Sequence, residues 1–394
     1  MPPHGQPLDD VSSSASFLTS ATLLLTPTHP APERAWDCPG AHSSPQLGDF
    51  LERIPAIEVW FQRASDVVRK MGTGDLDLGI VGYDMFSELA FGDSNLVVVH
   101  EALNFGKCHL GLGIPLTGKF ANISSLEALK AMPEWTAATP LRVVTGYFNI
   151  ANRFFKDNGF EHVVLLSADG ALEASPAMGS ADIIFDLVST GVTLRENNLK
   201  EISGGTVMQS QGILVANKKA LMERPGLLHV VHELIERFDG HLKAEQYYSV
   251  VANMRGDSAE EVATLLLSAP GAAGPAAQGF SSGSQPGSHS GPRPVAGLHQ
   301  SGRSDPTAQP GPTISPVFNV DKSTDTGICH GFYAATICVK KKALYASVKV
   351  LQKLGGSGVL VMPMTYIFDE EPARWRALLL SLGLDEHSPM VQRD

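Results

Sequence analysis

A buried strand that leads directly into a turn rich in Ser, Thr and Gly constrains this 394-residue chain more than any other feature. The apolar run Ala181–Phe185 predicts the strand, and Asp186–Leu194 predicts the turn. Such a turn directs backbone N–H groups and hydroxyls into one small space, which is typical of an anion site and above all of a phosphate site. An ordinary strand-to-loop turn is the alternative, because these residues are common in turns. The turn residues are Ser189, Thr190, Gly191 and Thr193.

The strand-then-helix order repeats along most of the chain from about residue 49. Leu141–Thr145 predicts a strand that leads into a helix over Asn149–Asn158. Ser124 and Ser258 each precede a Glu by three residues, which fits the capping box that begins a helix. This alternation predicts an α/β fold with largely parallel sheets.

Composition excludes several classes of function. The net charge of -11 disfavours binding to nucleic acid or to an anionic membrane. No apolar run reaches the roughly 18 residues of a membrane-spanning helix. The four cysteines have no CxxC spacing, which argues against a zinc site and a disulfide framework. We therefore expect a soluble protein without nucleic-acid or membrane partners.

Two segments differ from the rest in composition. Residues 1–48 are rich in Ser, Thr, Pro and Ala, and we predict an atypical or disordered N-terminus. Residues 269–312 are rich in Gly, Ser, Pro, Gln and His, and we predict a disordered insertion. The strands and helices on both sides of this insertion are needed to complete one small βαββαβ module.

Two polar groups at predicted strand ends suit ligand binding. The guanidinium of Arg63 suits a phosphate or carboxylate, although a surface ion pair with Asp66 is the alternative. The carboxylates between Asp75 and Asp84, where a turn is predicted, suit a ribose hydroxyl or a magnesium-bound substrate, or form a solvated acidic turn. Cys108 is interpreted as a small core residue.

Several runs, in order along the chain, resemble ATP phosphoribosyltransferase. They are Ile57–Asp84, Asn104–Pro115, Val143–Phe155 and Ser180–Leu199, and Gly355–Phe368 resembles the end of the regulatory domain of the long, histidine-regulated form. The resemblance implies an α/β fold, with a two-lobed periplasmic-binding-protein-like catalytic core plus a C-terminal ferredoxin-like regulatory domain.

The resemblance also implies a reaction. Enzymes of this family transfer the phosphoribosyl group of phosphoribosyl pyrophosphate to N1 of ATP and release pyrophosphate, in the first step of histidine biosynthesis. It implies Mg2+, feedback inhibition by histidine and a homo-oligomer, which is a hexamer in the family. The location would be the plastid in a plant or alga and otherwise the cytoplasm. The alternative is a catalytically impaired binding or regulatory paralogue, or a truncated chain, that keeps phosphoribosyl pyrophosphate or histidine binding.

Site residues follow from the resemblance, position by position. Asp186 would be catalytic and would bind phosphoribosyl pyrophosphate together with Ser189, Thr190, Gly191, Val192 and Thr193. The ATP-binding residues would be Arg63, Asp66, Asp84 and Tyr147. The histidine-binding residues would be Ser357, Gly358 and Thr365, and no metal ligand is identified.

The predicted division of the chain is as follows. Lobe I comprises 49–104 and 200–222, lobe II comprises 105–199, and the regulatory domain comprises 223–268 and 313–385. The family begins with a strand and a lysine-containing phosphate loop, whereas the first lysine here is Lys70. We therefore expect lobe I to lack its opening strand and part of its nucleotide site.

Overall fold

The computed structural model describes residues 21–25, 57–90, 92–168, 170, 172–269, 311–320, 328–329, 331–369, 371–385 and 387–388. Almost all of 269–312 and most of 1–48 lie outside these ranges, so the disorder expected there stays a prediction. The chain divides into two compact units, one formed by residues up to Glu236 with those from Glu371 on, the other by Arg237–Glu370. No helix of the described residues is long and apolar enough to cross a membrane.

Lobe I of the first unit contains a five-stranded sheet in the order β2-β1-β3-β11-β4. Its strands are β1 (Ala21–Leu25), β2 (Ile57–Phe61), β3 (Leu78–Gly82), β4 (Leu96–His100) and β11 (Gly212–Asn217). Its helices are α1 (Ala64–Thr73), α2 (Tyr83–Leu89), α7 (Lys218–Glu223) and the C-terminal α11 (Ala373–Leu382).

Lobe II contains a sheet in the order β10-β5-β8-β6-β7, and β9 also pairs with β5. Its strands are β5 (Cys108–Pro115), β6 (Leu141–Thr145), β7 (Val163–Ser167), β8 (Ile183–Val188), β9 (Leu199–Lys200) and β10 (Thr206–Ser210). Its helices are α3 (Leu126–Lys130), α4 (Phe148–Asp157), α5 (Ser175–Met178) and α6 (Val192–Glu196).

The second unit contains a four-stranded sheet in the order β13-β16-β12-β17, in which every pair is antiparallel. Its elements are the end of α8 (Leu227–Ala244), β12 (Tyr247–Arg255), α9 (Ala259–Ser268), β13 (Thr313–Pro316), β14 (Asn319–Val320), β15 (Ile328–Cys329), β16 (Phe332–Lys340), α10 (Leu344–Lys353) and β17 (Ser357–Pro363). Buried residues of the sheet and of α9 and α10 share one core. This order is that of a ferredoxin-like βαββαβ module, as the sequence predicts.

The expectation that lobe I lacks its opening strand is wrong, because residues 1–48 contribute a strand to its sheet, whereas the expected loss of part of the nucleotide site stays a prediction. Ala21–Leu25 forms β1, which pairs with β2 on one side and with β3 on the other. The strand is mostly apolar but only five residues long. The sequence after it has no helical periodicity, so the strand-then-helix order that predicted the other strands is absent here. A tertiary position between two strands, rather than a local signal, makes it part of the sheet.

The prediction of largely parallel sheets is also wrong, because the named strand pairs are antiparallel apart from β6 with β7 and β6 with β8. Strands β2, β3 and β4 do run in one direction. However, β1 lies between β2 and β3, and β11 lies between β3 and β4, and both run in the opposite direction. The alternation along the sequence cannot show such insertions, since they come from distant parts of the chain.

Several boundaries, and the local structure at Asp84, differ from the predicted ones. Strands β9 and β10 both pair with β5, so the chain returns to lobe I at β11 and not near residue 200. The second unit covers Arg237–Glu370, and α11 belongs to the first unit, where Trp375 is buried. Ser125, not Ser124, caps α3, because its hydroxyl accepts a hydrogen bond from the N–H of Ala128 at 3.2 Å. Asp84 lies in the first turn of α2 and not in a simple turn.

Candidate active site

The predicted phosphate turn follows β8 and opens α6. Gly191 has a φ of 68° and is the residue before the helix, a left-handed conformation that favours glycine. The side chains of Ser189, Thr190 and Thr193 are exposed, and within the described ranges their hydroxyls have no hydrogen-bond partner. The turn therefore presents hydroxyls to solvent on a backbone fixed by the end of a buried strand.

A cation that the sequence reasoning missed lies against this turn. The Nη1 atom of Arg195 is 3.4 Å from the carbonyl oxygen of Thr190, and 3.2 Å from the position that a Cβ on Gly191 would occupy. The sequence does indicate this contact, because the side chain of a residue four positions after Gly191 on a helix points back towards the first turn of that helix. Arg195 supplies a positive charge beside a turn that suits an anion.

Asp186 is half-buried near the end of β8, and its Oδ1 accepts a hydrogen bond from the N–H of Leu187 at 2.8 Å. The pKa of Asp186 is raised to about 6, chiefly by burial and also by the negative charges of Glu173 and Asp84, while the hydrogen bond from Leu187 opposes this rise. Within the described ranges, no Lys or Arg side chain pairs with this carboxylate. It is a poorly solvated carboxylate without a cation.

The neighbouring strand β5 places a glycine opposite Asp186. Gly111 lies opposite Asp186 in the antiparallel pair, and His109 lies opposite Val188, so these residues share one face of the sheet. The Nε2 atom of His109 contacts Oε1 of Glu201. Neither His109 nor Glu201 was identified from the sequence, because a single imidazole and a single carboxylate 92 residues apart form no motif.

Asp84 of lobe I and Tyr147 of lobe II, both predicted to bind ATP, are in direct contact, and their role in ATP binding stays a prediction. The Tyr147 hydroxyl donates to Oδ2 of Asp84 at 2.8 Å, and the hydroxyl of Ser210 donates to Oδ1 at 2.5 Å. All three residues are buried. Burial, followed by the charge of Asp84, raises the pKa of Tyr147 far above its usual range, so the phenol stays neutral.

Glu88 makes a second connection between the lobes, and it was not predicted. Its carboxylate accepts hydrogen bonds from the N–H groups of Asn149 at 2.8 Å and Ile150 at 2.9 Å, at the start of α4. Glu88 lies four residues after Asp84 on α2, so both carboxylates face lobe II. Two acidic residues four positions apart on a helix indicate a shared face, but they do not identify the partner of that face.

Arg63 and Asp66 lie at the same sheet edge as Asp84 but do not contact it. Phe61 and Ile80 both pair with Ala21, so Arg63 lies level with Gly82 at a distance of two strand spacings, roughly 10 Å. The alternative of an ion pair between Arg63 and Asp66 is wrong, because Asp66 pairs with Arg69 at 3.7 Å. The exposed Arg63 side chain has no partner within the described ranges.

The three residues assigned to histidine do not come together within one chain. Ser357 begins β17 and lies opposite Asn253, whereas Pro363, at the other end of the strand, lies opposite Tyr248. Thr365 follows that end, so roughly 20 Å separates it from Ser357 and Gly358. All three residues are exposed. Separately, the described part of the chain holds no group of three or more His, Cys, Asp or Glu side chains arranged to bind a metal ion.

Comparison with known proteins identifies relatives across most of the chain. A family model described as "HisG: ATP phosphoribosyltransferase" matches residues 63–240. ATP phosphoribosyltransferase 1, chloroplastic, of Arabidopsis thaliana is 51% identical over 335 residues, which cover 85% of this chain and 72% of that protein. An ATP phosphoribosyltransferase of Bacteroides fragilis is 33% identical over 213 residues, which cover 53% of this chain and 66% of that protein.

Among solved structures, the ATP phosphoribosyl transferase (HisG:HisZ) complex from Thermotoga maritima aligns with a TM-score of 0.39 and 20% identity, over 50% of this chain and 91% of that chain. The identity to the Arabidopsis proteins extends over more than two thirds of their length. The chain therefore belongs to the ATP phosphoribosyltransferase family, the pentosyltransferases that catalyse the first step of histidine biosynthesis.

Proposed function

We propose that the turn after β8 holds the 5′-phosphate of phosphoribosyl pyrophosphate and that Asp186 acts on its ribose. The observation that carries this proposal is the half-buried Asp186 carboxylate, without a cation, directly before a turn of exposed hydroxyls. Ser189, Thr190 and Thr193 would donate to the phosphate, and Arg195 would balance its charge.

Asp186 has a chemical role in this arrangement. Displacement of pyrophosphate from the anomeric carbon passes through a cationic sugar. A carboxylate that is poorly solvated and fixed in place stabilises such a charge more strongly than a solvated one, because it needs no reorganisation. The transfer needs no protein nucleophile, so the orientation of two substrates and the stabilisation of charge account for most of the rate.

ATP binds, in this proposal, at the facing edge of lobe I. Asp84 and the neutral Tyr147 would lie beneath the adenine, since they are buried and joined by a hydrogen bond between the two lobes. Arg63 and Asp66 lie further along the same edge, where an exposed guanidinium suits a phosphate of ATP. The reacting N1 atom would then lie between the two lobes.

Mg2+ enters, in this proposal, with pyrophosphate as part of the substrate. Phosphoryl oxygens and one or two carboxylates are the usual environment of this ion. The residues present fit that role, because the pKa of Asp186 is raised by burial and by the charges of Glu173 and Asp84, and a cation nearby would relieve both effects. When bound, Mg2+ would neutralise charge on the leaving pyrophosphate.

Histidine inhibition, assembly and location are part of the same proposal. Because Ser357 and Gly358 lie at one end of β17 and Thr365 beyond the other, a histidine site that uses all three would draw them from two copies of the chain. That requirement favours a homo-oligomer, with the family's hexamer as the proposed state. The Arabidopsis relatives are named chloroplastic, and we infer a plastid location for this chain.

The phosphate assignment is tested with the double variant Thr190→Ala, Thr193→Ala. Each lost hydroxyl is expected to weaken binding of the charged phosphate by about 1.5–3 kcal/mol. Isothermal titration calorimetry with phosphoribosyl pyrophosphate measures the effect. Thr117→Ala is the matched control, because Thr117 is exposed in lobe II and follows the opposite end of β5 from His109. Unchanged affinity in the double variant would contradict the assignment.

A further inference from the structure

The two lobes are joined by buried and partly buried hydrogen bonds that run from one face of α2 to the start of α4. Asp84 accepts from the Tyr147 hydroxyl, and Glu88 accepts from the N–H groups of Asn149 and Ile150. The carbonyl oxygen of Glu88 also accepts from Nδ2 of Asn149 at 3.0 Å. These bonds join residues 61 to 63 positions apart in the sequence.

Helix α4 obtains its N-terminal cap from the other lobe. Tyr147, at the position before the helix, provides no side-chain cap. The first N–H groups of a helix have no partner within the helix, and a carboxylate there also favours the positive end of the helix dipole. Both oxygens of Glu88 meet this need, one on each N–H group.

The buried carboxylate of Glu88 in turn needs its hydrogen bonds to the start of α4. It is only 4% exposed, and a buried carboxylate is costly unless hydrogen bonds satisfy it. Its carboxylate hydrogen bonds are both to lobe II. If the lobes separated here, the carboxylate and two N–H groups would lose their partners together, so one spacing of the lobes is strongly favoured.

We propose that Glu88 is a positioning residue that latches the two lobes, so that the distance from the phosphate turn to Asp84 and Tyr147 is set before either substrate binds. Its kinetic consequence rests on the proposed function. In-line attack requires the reacting atoms at about 3–3.5 Å, and a misplacement of about 1 Å can cost about 100-fold in rate. A latch outside the substrate contacts would therefore change turnover more than binding.

The test compares Glu88→Gln with Glu101→Gln. The glutamine at 88 keeps the shape but turns an NH2 group towards one backbone N–H and removes the charge. Glu101 is the matched control, because its carboxylate forms a bidentate ion pair with Arg374 at 2.9 and 2.7 Å and has no hydrogen bond to lobe II within the described ranges. Asn149→Ala, which removes one bond of the latch at an exposed side chain, keeps the test possible if Glu88→Gln does not fold.

Two measurements decide the outcome. Hydrogen exchange at the amides of Asn149 and Ile150 in the substrate-free protein should be faster in Glu88→Gln by about 10-fold or more and unchanged in Glu101→Gln. The kcat should fall by about 10- to 100-fold, while the Kd for phosphoribosyl pyrophosphate, bound by lobe II alone, stays within about twofold. Asn149→Ala should also speed amide exchange and lower kcat, but each by less than Glu88→Gln does.

Unchanged exchange at these two amides would overturn the latch, and so would an equal loss of kcat in Glu101→Gln. A parallel loss of phosphoribosyl pyrophosphate affinity would also overturn it, because that result indicates general damage to lobe II. Exchange needs no turnover, so a wild-type protein without transferase activity would contradict the proposed function and still leave the latch tested.

Discussion

The two ends of β8 carry an aspartate each, and the two aspartates have opposite surroundings. Asp182, just before the strand, accepts hydrogen bonds from Nζ of Lys119 at 2.9 Å and from N and Nε of Arg142 at 3.0 and 3.1 Å. Asp186, four residues later, accepts one bond from the backbone of Leu187 and has no cation partner within the described ranges.

The pKa values follow these partners. Burial alone would raise the pKa of Asp182, but the hydrogen bonds from Arg142 and Lys119 outweigh this effect and hold the pKa below its usual range. Burial raises the pKa of Asp186 to about 6, and no cation opposes it. One strand thus has a satisfied carboxylate that stabilises the fold at one end, and at the other end a carboxylate that destabilises it and is available to a ligand.

The largest expected effect is that of Asp186→Asn on transfer. We expect kcat/KM for phosphoribosyl pyrophosphate to fall by about 100-fold or more, because the carboxylate that stabilises the cationic sugar is lost. The free energy of unfolding should rise by about 1–3 kcal/mol at pH 7, since an unfavourable buried charge is removed. Steady-state kinetics and urea unfolding measure the two quantities. A variant that loses stability would show that Asp186 is structural.

Asp182→Asn should give the opposite pattern. Lys119 and Arg142 lose an anionic acceptor, so the free energy of unfolding should fall by about 1–3 kcal/mol. The Kd for phosphoribosyl pyrophosphate should not change, because Asp182 lies at the far end of the strand. Urea unfolding and calorimetry provide the comparison. A large change in Kd with unchanged stability would reverse the roles assigned to the two ends.

The pH dependence of kcat/KM and of the free energy of unfolding should also distinguish the two ends of β8. Protonation of Asp186 should lower kcat/KM by about 10-fold per pH unit below about 6, and no such limb should remain in Asp186→Asn. Asp182 has a lowered folded-state pKa, so its stabilisation is present above 3.8 and is lost as the pH falls through the lower value. The stability difference between wild type and Asp182→Asn should therefore disappear in strong acid. A difference that grows in acid would contradict this assignment.

The smallest effect is expected from Lys119→Met. Nζ of Lys119 lies 4.4 Å from the ring centroid of Trp135 and pairs with Asp182, but its side chain is 39% exposed. Solvent screens such contacts, and Arg142 remains as a partner of Asp182, so the loss of stability should stay below about 1 kcal/mol. Thermal unfolding measures it. A loss of stability as large as that in Asp182→Asn would show that Lys119, and not Arg142, is the main partner that stabilises Asp182.

Sequence reasoning reached the parts of the site that are contiguous in the chain. Asp186 and the turn from Ser189 to Thr193 follow the largely apolar segment Ala181–Phe185, so the strand and the turn were predictable from neighbouring residues, and the phosphate chemistry of the turn stays a proposal. Asp84 and Tyr147 were both assigned to ATP binding from the family resemblance, but the hydrogen bond between them was not predicted. Glu88, His109 and Glu201 were not reached, because each acts through a partner at least 61 positions away.

The sequence by itself determined the alternation of strands and helices, the ferredoxin-like order of the second unit and the turn rich in Ser and Thr after β8, since local periodicity and turn chemistry encode these features. Only the tertiary structure decided the direction of neighbouring strands, with β1 and β11 inserted against β2, β3 and β4. The tertiary structure also decided that the cationic side chains of Lys119 and Arg142 lie at the Asp182 end of β8. A charge costs or gains free energy according to the groups that surround it in space, and distant segments bring those groups to Asp182 and leave Asp186 without them.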